Sequence, residues 1–175
     1  MITMAMREIQ PEQLGQNVFQ MIGQQWTLIT TADLEQGQNK VNAMTASWGG
    51  LGVLWSKNVA YIFIRPQRYT HELLDSQDTF TLGFLPESCR KALQYCGAHS
   101  GRGEDKLAAC GLHGRMEEGI PLIDESEVTL VCRKLYRQDL SPDCFLDKEA
   151  DARCYPGKDY HTMYVGEIVK VLVKE

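Results

Sequence analysis

The sequence predicts a mainly β fold, a closed or half-closed antiparallel barrel with short helical insertions rather than a doubly wound sheet. Three observations predict it. Strand-forming runs outnumber helical ones and occur in both halves of the chain. The helical stretches are short and lie between strands. No GxGxxG follows a strand and no GxxxxGK[ST] occurs, so the dinucleotide and P-loop fingerprints are missing. At 175 residues the chain is expected to form one domain, residues 1–175, with a core large enough to need no staples.

The elements follow in order. Gln25 to Thr31 (QWTLITT) is rich in strand formers and ends before a polar turn, Asp33 to Lys40. Val41 to Ser47 resumes as a strand, so the two read as a hairpin. Val59 to Arg65 (VAYIFIR) is nearly continuous in apolar residues and is expected to be buried on both faces, with Pro66 ending its pairing. Thr70 to Gln77 reads as a short helix with Thr70 as its N-cap and Glu72 in the first turn. Thr79 to Leu85 alternates like a strand. Glu87 to Gly97 and Asp105 to Cys110 read as helical, the second stopped by Gly111. Val128 to Gln138 and Tyr160 to Val173 are long strand-like runs, the latter broken by Gly166.

Charge and cysteines narrow the functional classes. The formal charge is −5 and no basic run occurs, which argues against nucleic acid as a partner. The apolar runs fall short of the ~20 residues of a membrane helix. The first residues carry no secretory pattern, so a cytoplasmic location is expected. The six cysteines (Cys89, Cys96, Cys110, Cys132, Cys144 and Cys154) form no CxxC and no zinc spacing with histidine, so no metal is expected. They read as reduced core or half-buried thiols, Cys89 and Cys96 sharing a face if their segment is helical.

The chemistry concentrates between Asn42 and Thr70. On a strand Thr45 and Ser47 point to one face, and two hydroxyls side by side suit phosphate oxygens. Gly49 and Gly50 lack the Cβ that would keep a ring from the backbone. The same residues also describe a polar strand edge followed by a turn. Arg65, Arg68 and Thr70 add two guanidinium forks and a hydroxyl, matched to a phosphate or, alternatively, to surface ion pairs. Lys106 follows a glycine-flanked loop (SGRGEDK) and sits in the first turn of a helix, where its charge opposes the dipole. A bound phosphate would offset that cost; an exposed loop lysine is the alternative. His161 could steady a ring or a nicotinamide, shuttle a proton, or serve structurally. Trp48 and Trp55 could form an apolar wall. Together these residues suit a phosphorylated, flat aromatic ligand. No Ser/His/Asp order and no paired carboxylates stand out.

Four segments, Asn42 to Gly50 (NAMTASWGG), Ile64 to Thr70 (IRPQRYT), Ser100 to Lys106 (SGRGEDK) and Tyr160 to Ile168 (YHTMYVGEI), resemble in order those of the flavin reductase-like family. The resemblance implies an FMN-binding split β-barrel and a homodimer with FMN near the subunit interface. It puts Thr45 and Ser47 on the phosphate side, with Ala46 and Trp48 offering backbone to the flavin. Asn42 and Gly49 belong to the same cofactor-binding motif. Arg65, Arg68, Thr70 and Lys106 would supply further phosphate or ribityl contacts, with His161 and Tyr164 near the pocket. The function it implies is an NAD(P)H-dependent flavin reductase, in which NADH or NADPH passes hydride to flavin N5. An electron carrier of the flavoredoxin type, exchanging electrons with another redox protein, is the alternative. A split barrel holding a different phosphorylated cofactor or a tetrapyrrole is a third.

Overall fold

The structure, a computed structural model, describes residues 5–34, 37 and 40–175. Ten strands are present among them: β1 (Met6–Ile9), β2 (Thr27–Ala32), β3 (Val41–Ala46), β4 (Gly49–Leu54), β5 (Lys57–Ile64), β6 (Thr79–Phe84), β7 (Gly114–Glu117), β8 (Ile120–Ile123), β9 (Val128–Asp139) and β10 (Thr162–Lys174). Four short helices intervene: α1 (Tyr69–Asp75), α2 (Arg90–Ala98), α3 (Lys106–Ala109) and α4 (Lys148–Cys154). Helical turns over Val18–Gln20 and Met21–Gln25 precede β2.

Eight strands form one antiparallel sheet in the order β3-β2-β6-β9-β10-β5-β4, with β1 paired to the end of β10. β7 and β8 make a separate hairpin. The edges of the large sheet are β3 and β4, yet these are consecutive in the chain. Only Ser47 and Trp48 separate Ala46 from Gly49, so the two Cα atoms lie at most about 11 Å apart. A sheet whose opposite edges are held that close must curl on itself. Its edges meet without pairing, and that seam is where the barrel is split.

The expected β2–β3 hairpin forms, with Thr27 opposite Ala46 and Ala32 opposite Val41. Of the turn expected between its strands, Glu35, Gln36, Gln38 and Asn39 lie outside the described residues. Successive residues of β2 face opposite ways. Ile29 enters the barrel interior with Ile62, Phe80, Leu130 and Tyr164. Leu28 turns outward to a second apolar layer under α2 and α3, with Ala43, Leu93, Cys96 and Leu107.

Several expectations are corrected. Gly49 and Gly50, for which a turn is one of the two readings, instead open β4, because pairing with β5 makes a strand of Gly49–Leu54. The link between them, Trp55 and Ser56, has φ of 51° and 57°, the conformation a two-residue hairpin turn demands. β5 is not buried on both faces. Val59, Ile62 and Ile64 are buried, whereas Tyr61 and Phe63 stay partly exposed. Thr70 is not a helix cap, because Arg68 occupies that position and Thr70 lies within the first turn, buried. Gly166 does not end β10. The strand runs through it with a register shift, and a Cβ there would come within 2.6 Å of the Phe80 ring. Cys89 immediately precedes α2 and is half-buried, while Cys96 in its last turn is fully buried. β1, the β7–β8 hairpin and α4 were not anticipated. No helix among the described residues is long and apolar enough to cross a membrane.

Candidate functional site

The seam opens into a cleft of about 230 Å³. Met44, Thr45 and Ala46 at the end of β3, and Ser47 and Trp48 in the link to β4, form one side. Phe63 and Arg65 from the end of β5, Arg68 before α1, and His161 before β10 form the other. Seven of the residues singled out from sequence therefore converge: Thr45, Ala46, Ser47, Trp48, Arg65, Arg68 and His161. Phe63 and Met44 were not singled out. Phe63 lies two residues before Arg65 in the strand expected from sequence, Val59 to Arg65, so the period of two contained the signal.

The flat-walled end of the cleft is built from Trp48 and His161, whose ring centroids are 5.3 Å apart. Trp48 keeps 49% of its surface exposed. His161 is buried, and its Nδ1 shares a hydrogen bond of 2.7 Å with the Tyr155 hydroxyl. Burial first, and then the positive charge of Arg65, push the imidazole pKa down to about 4. His161 is accordingly neutral near pH 7. Gly49 begins β4 beside the cleft, and a Cβ there would sit 2.6 Å from the Tyr61 carbonyl oxygen. Only glycine allows the two backbones to approach so closely.

The other end is cationic. Arg68 donates to the carbonyls of Gly97 (2.8 Å) and Cys96 (3.3 Å) at the end of α2. Lys106, though buried, reaches the same helix end from α3, donating to the carbonyls of Cys96 (3.2 Å) and His99 (3.0 Å). The charge that opposes the dipole at the start of α3 is thus compensated at the negative end of α2. Neither cation has a carboxylate within ion-pair distance among the described residues. Burial above all, with a further push from Arg68, brings the Lys106 pKa down to about 8. Arg68, Thr70, Ser100 and Lys106 line a smaller hollow of about 150 Å³, and Arg68 borders both spaces.

Arg65 is engaged differently. It pairs with Asp159 at 2.6 Å, donates to the Cys154 carbonyl at 2.9 Å and lies 5.1 Å from the centre of the Tyr155 ring. The Thr45 hydroxyl donates to the Leu93 carbonyl at 2.5 Å, while Ser47 is exposed and lines the cleft. Asn42 is buried and donates from Nδ2 to Thr70 Oγ1 at 2.9 Å, which leaves the Thr70 hydroxyl proton for another acceptor. Tyr164 is not brought to the cleft. Its ring is fully buried in the barrel interior, and its hydroxyl donates to Asp75 at 2.8 Å.

Residues 19–175 match the model of the flavin reductase-like domain. The chain belongs to the flavin reductase-like family. No curated protein sequence matches it. Among solved structures, an FMN-binding domain of a flavin reductase-like enzyme from Shewanella baltica superposes with a TM-score of 0.67 at 13% identity, covering 99% of this chain and 80% of that one. Flavoredoxin of Desulfovibrio vulgaris gives a TM-score of 0.67 at 20% identity, with 95% and 78% covered. An NADH:FAD oxidoreductase from Streptomyces globisporus, solved with NAD and FAD fragments, gives 0.60 at 20% identity, with 83% and 72% covered. At these identities the likeness is one of fold, and the fold is the mainly β split barrel expected from sequence.

Proposed function

We propose that this chain binds FMN in the seam and acts as an NAD(P)H-dependent flavin reductase, residues 1–175 working as one cofactor-binding domain. The observation that carries the reading is the convergence of Arg68 and Lys106, two cations without a carboxylate partner among the described residues, beside a cleft with flat walls. Two such charges crowded at one helix end repel each other, and a phosphate between them would relieve that repulsion.

The donor set fits the group. Lys106, Arg68, Thr70 and Ser100 would hold the phosphate, with Ser47 nearby. Backbone from Ala46 to Gly49 would face the ring, and Gly49 gives it a close approach. Asn42 fixes Thr70, and Thr45 fixes the end of β3 against α2. Tyr164 acts from the interior by anchoring β10 to Asp75 at the end of α1. Bound FMN would supply hydride acceptance and one-electron transfer. The chain's own task is to hold and orient. His161, neutral and fixed by Tyr155, would steady a nicotinamide ring at the open side beside Trp48 and carry no net charge at neutral pH.

A cleft of about 230 Å³ lies below the ~300–1,000 Å³ usual for ligand pockets. A second copy of the chain would complete it. Val53, Trp55, Tyr136 and Val169 stand exposed on β4, the β4–β5 turn, β9 and β10, and such side chains suit a homodimer contact.

The test begins with the visible spectrum of the purified protein and the flavin released on denaturation. Anaerobic mixing with NADH and NADPH follows. Rapid bleaching is expected with one of them. Bleaching by neither, with reduction by a partner redox protein, would make the chain an electron carrier instead. A protein that stays colourless in excess FMN would end both readings.

A further inference from the structure

One pair of side chains beside this site is not used by the proposed function. Cys96, in the last turn of α2, and Cys110, just after α3, have their sulfur atoms 3.8 Å apart. No other two thiols touch among the described residues, although six cysteines are present. We propose that Cys96 and Cys110 are a redox-active dithiol site, oxidised by a hydroperoxide to a disulfide that staples the end of α2 to the end of α3.

The two sulfurs differ in access. Cys110 is half-buried, so a small peroxide reaches it. Cys96 is fully buried, and its thiol is pushed up to about 12, mainly by burial and then by Cys110. Cys110 is therefore oxidised first and Cys96 resolves. In the first step Cys110 gives up its thiol proton and its sulfur attacks one peroxide oxygen. A sulfur–oxygen bond forms, the oxygen–oxygen bond breaks, and, when the oxidant is hydrogen peroxide, the departing hydroxide takes up that proton and leaves as water. In the second, the Cys96 sulfur attacks the Cys110 sulfur, the sulfur–sulfur bond forms and the hydroxyl leaves as a second water with the Cys96 proton. Two thiols have lost two electrons and two protons, and the peroxide has taken them up. Lys106 and Arg68 both lie near Cys96 and both favour its thiolate, which assists the second step. Closing the bond from 3.8 Å requires an approach of about 2 Å. The ends of two short helices joined by a loop with Gly101 and Gly103 can accommodate that.

The position gives the pair a consequence. The Cys96 carbonyl is the acceptor shared by Arg68 and Lys106. Drawing Cys96 toward Cys110 shifts that carbonyl, and with it both cations. On the reading that these cations hold the FMN phosphate, oxidation loosens the cofactor.

The experiment treats the full chain with hydrogen peroxide until the exposed Cys144 is oxidised, which shows that the oxidant was delivered. Blocking, trypsin digestion and mass spectrometry follow. Expected is a linked species joining residues 92–102 to residues 107–115, lighter by two hydrogen atoms than the separate peptides and reversed by dithiothreitol. It should vanish in Cys110→Ser and in Cys96→Ala. Recovery of both peptides unlinked, or with Cys110 carried irreversibly to the sulfinic acid, would overturn the pair. FMN affinity is then measured on both forms. A several-fold weaker affinity of the oxidised form is expected, and equal affinities would overturn the coupling. The peptide result involves no FMN, so failure of the pair and failure of the cofactor reading are told apart.

Discussion

Arg65 and Arg68 are three residues apart at one lip of the cleft, yet their surroundings differ in kind. Arg65 is neutralised by Asp159 and bound into the segment around Cys154 and Tyr155. Among the described residues Arg68 and its companion Lys106 donate hydrogen bonds to backbone carbonyls alone. A carbonyl orients a cation without cancelling its charge, whereas a carboxylate does both. The lesson is that a lip rich in cations can hold two separate devices, one open to an anion and one that shapes the wall. The Arg65 device also acts on its neighbour, since its charge helps keep His161 neutral.

The sharpest way to break the contrast is by deletion. Arg68→Ala and Lys106→Ala should each weaken FMN binding tenfold or more, because a charge-assisted hydrogen bond is worth about 1.5–3 kcal/mol and ~1.4 kcal/mol is a factor of ten. Arg65→Ala should cost threefold or less in the same fluorescence titration. Equal losses in all three would erase the distinction drawn here.

Next in size is a pH effect on Lys106. The free side chain has a pKa of about 8, and a bound phosphate would raise it. Below about 8 the group is protonated free or bound, and affinity is flat down to the phosphate's own second pKa near ~6. Above 8 the free form must take up a proton to bind, so affinity falls. Lys106→Arg should remove that fall, and a titration at several pH values reads it.

Gly49→Ala should lower stability by roughly 1–3 kcal/mol, because its Cβ would meet the Tyr61 carbonyl oxygen, part of a strand that cannot yield cheaply. Thermal unfolding without ligand is the measurement. His161 provides the subtlest check. Its folded pKa of about 4 lies below the ordinary 6.5, so the neutral form stabilises the fold. That contribution is complete above about 6.5 and is lost as pH falls toward 4. In Arg65→Ala the His161 pKa should rise by NMR titration, and the window should narrow. An unchanged titration would detach Arg65 from His161.

Much of this was legible in the chain. β2, β3, β5, β6, β9 and β10 announce themselves by alternating or continuous apolar residues, and the motif from Thr45 to Trp48 does lie where the strand ends. β4 was not legible, because glycines carry no strand signal of their own and pairing with β5 supplies it. β1 needs the far end of β10 to exist as a strand. In the site, the residues that differ most from expectation are those whose partners lie far along the sequence. Asp159 reaches Arg65 across 94 positions, and nothing local to either residue announces the pair. Tyr164 shares a motif with His161 but points inward, since strand alternation and the packing around Asp75 decide its side.

By itself the sequence determined the strand-rich character, the hydroxyl, glycine and cation types gathered at the lip, and the family to which they belong, because these depend on local chemistry and period. Tertiary structure alone decided where the sheet stays open, since that follows from β3 and β4 being opposite edges joined by a two-residue link. It also decided which cations keep their charge available, because neutralisation depends on distance in space, and the chain order does not contain that distance.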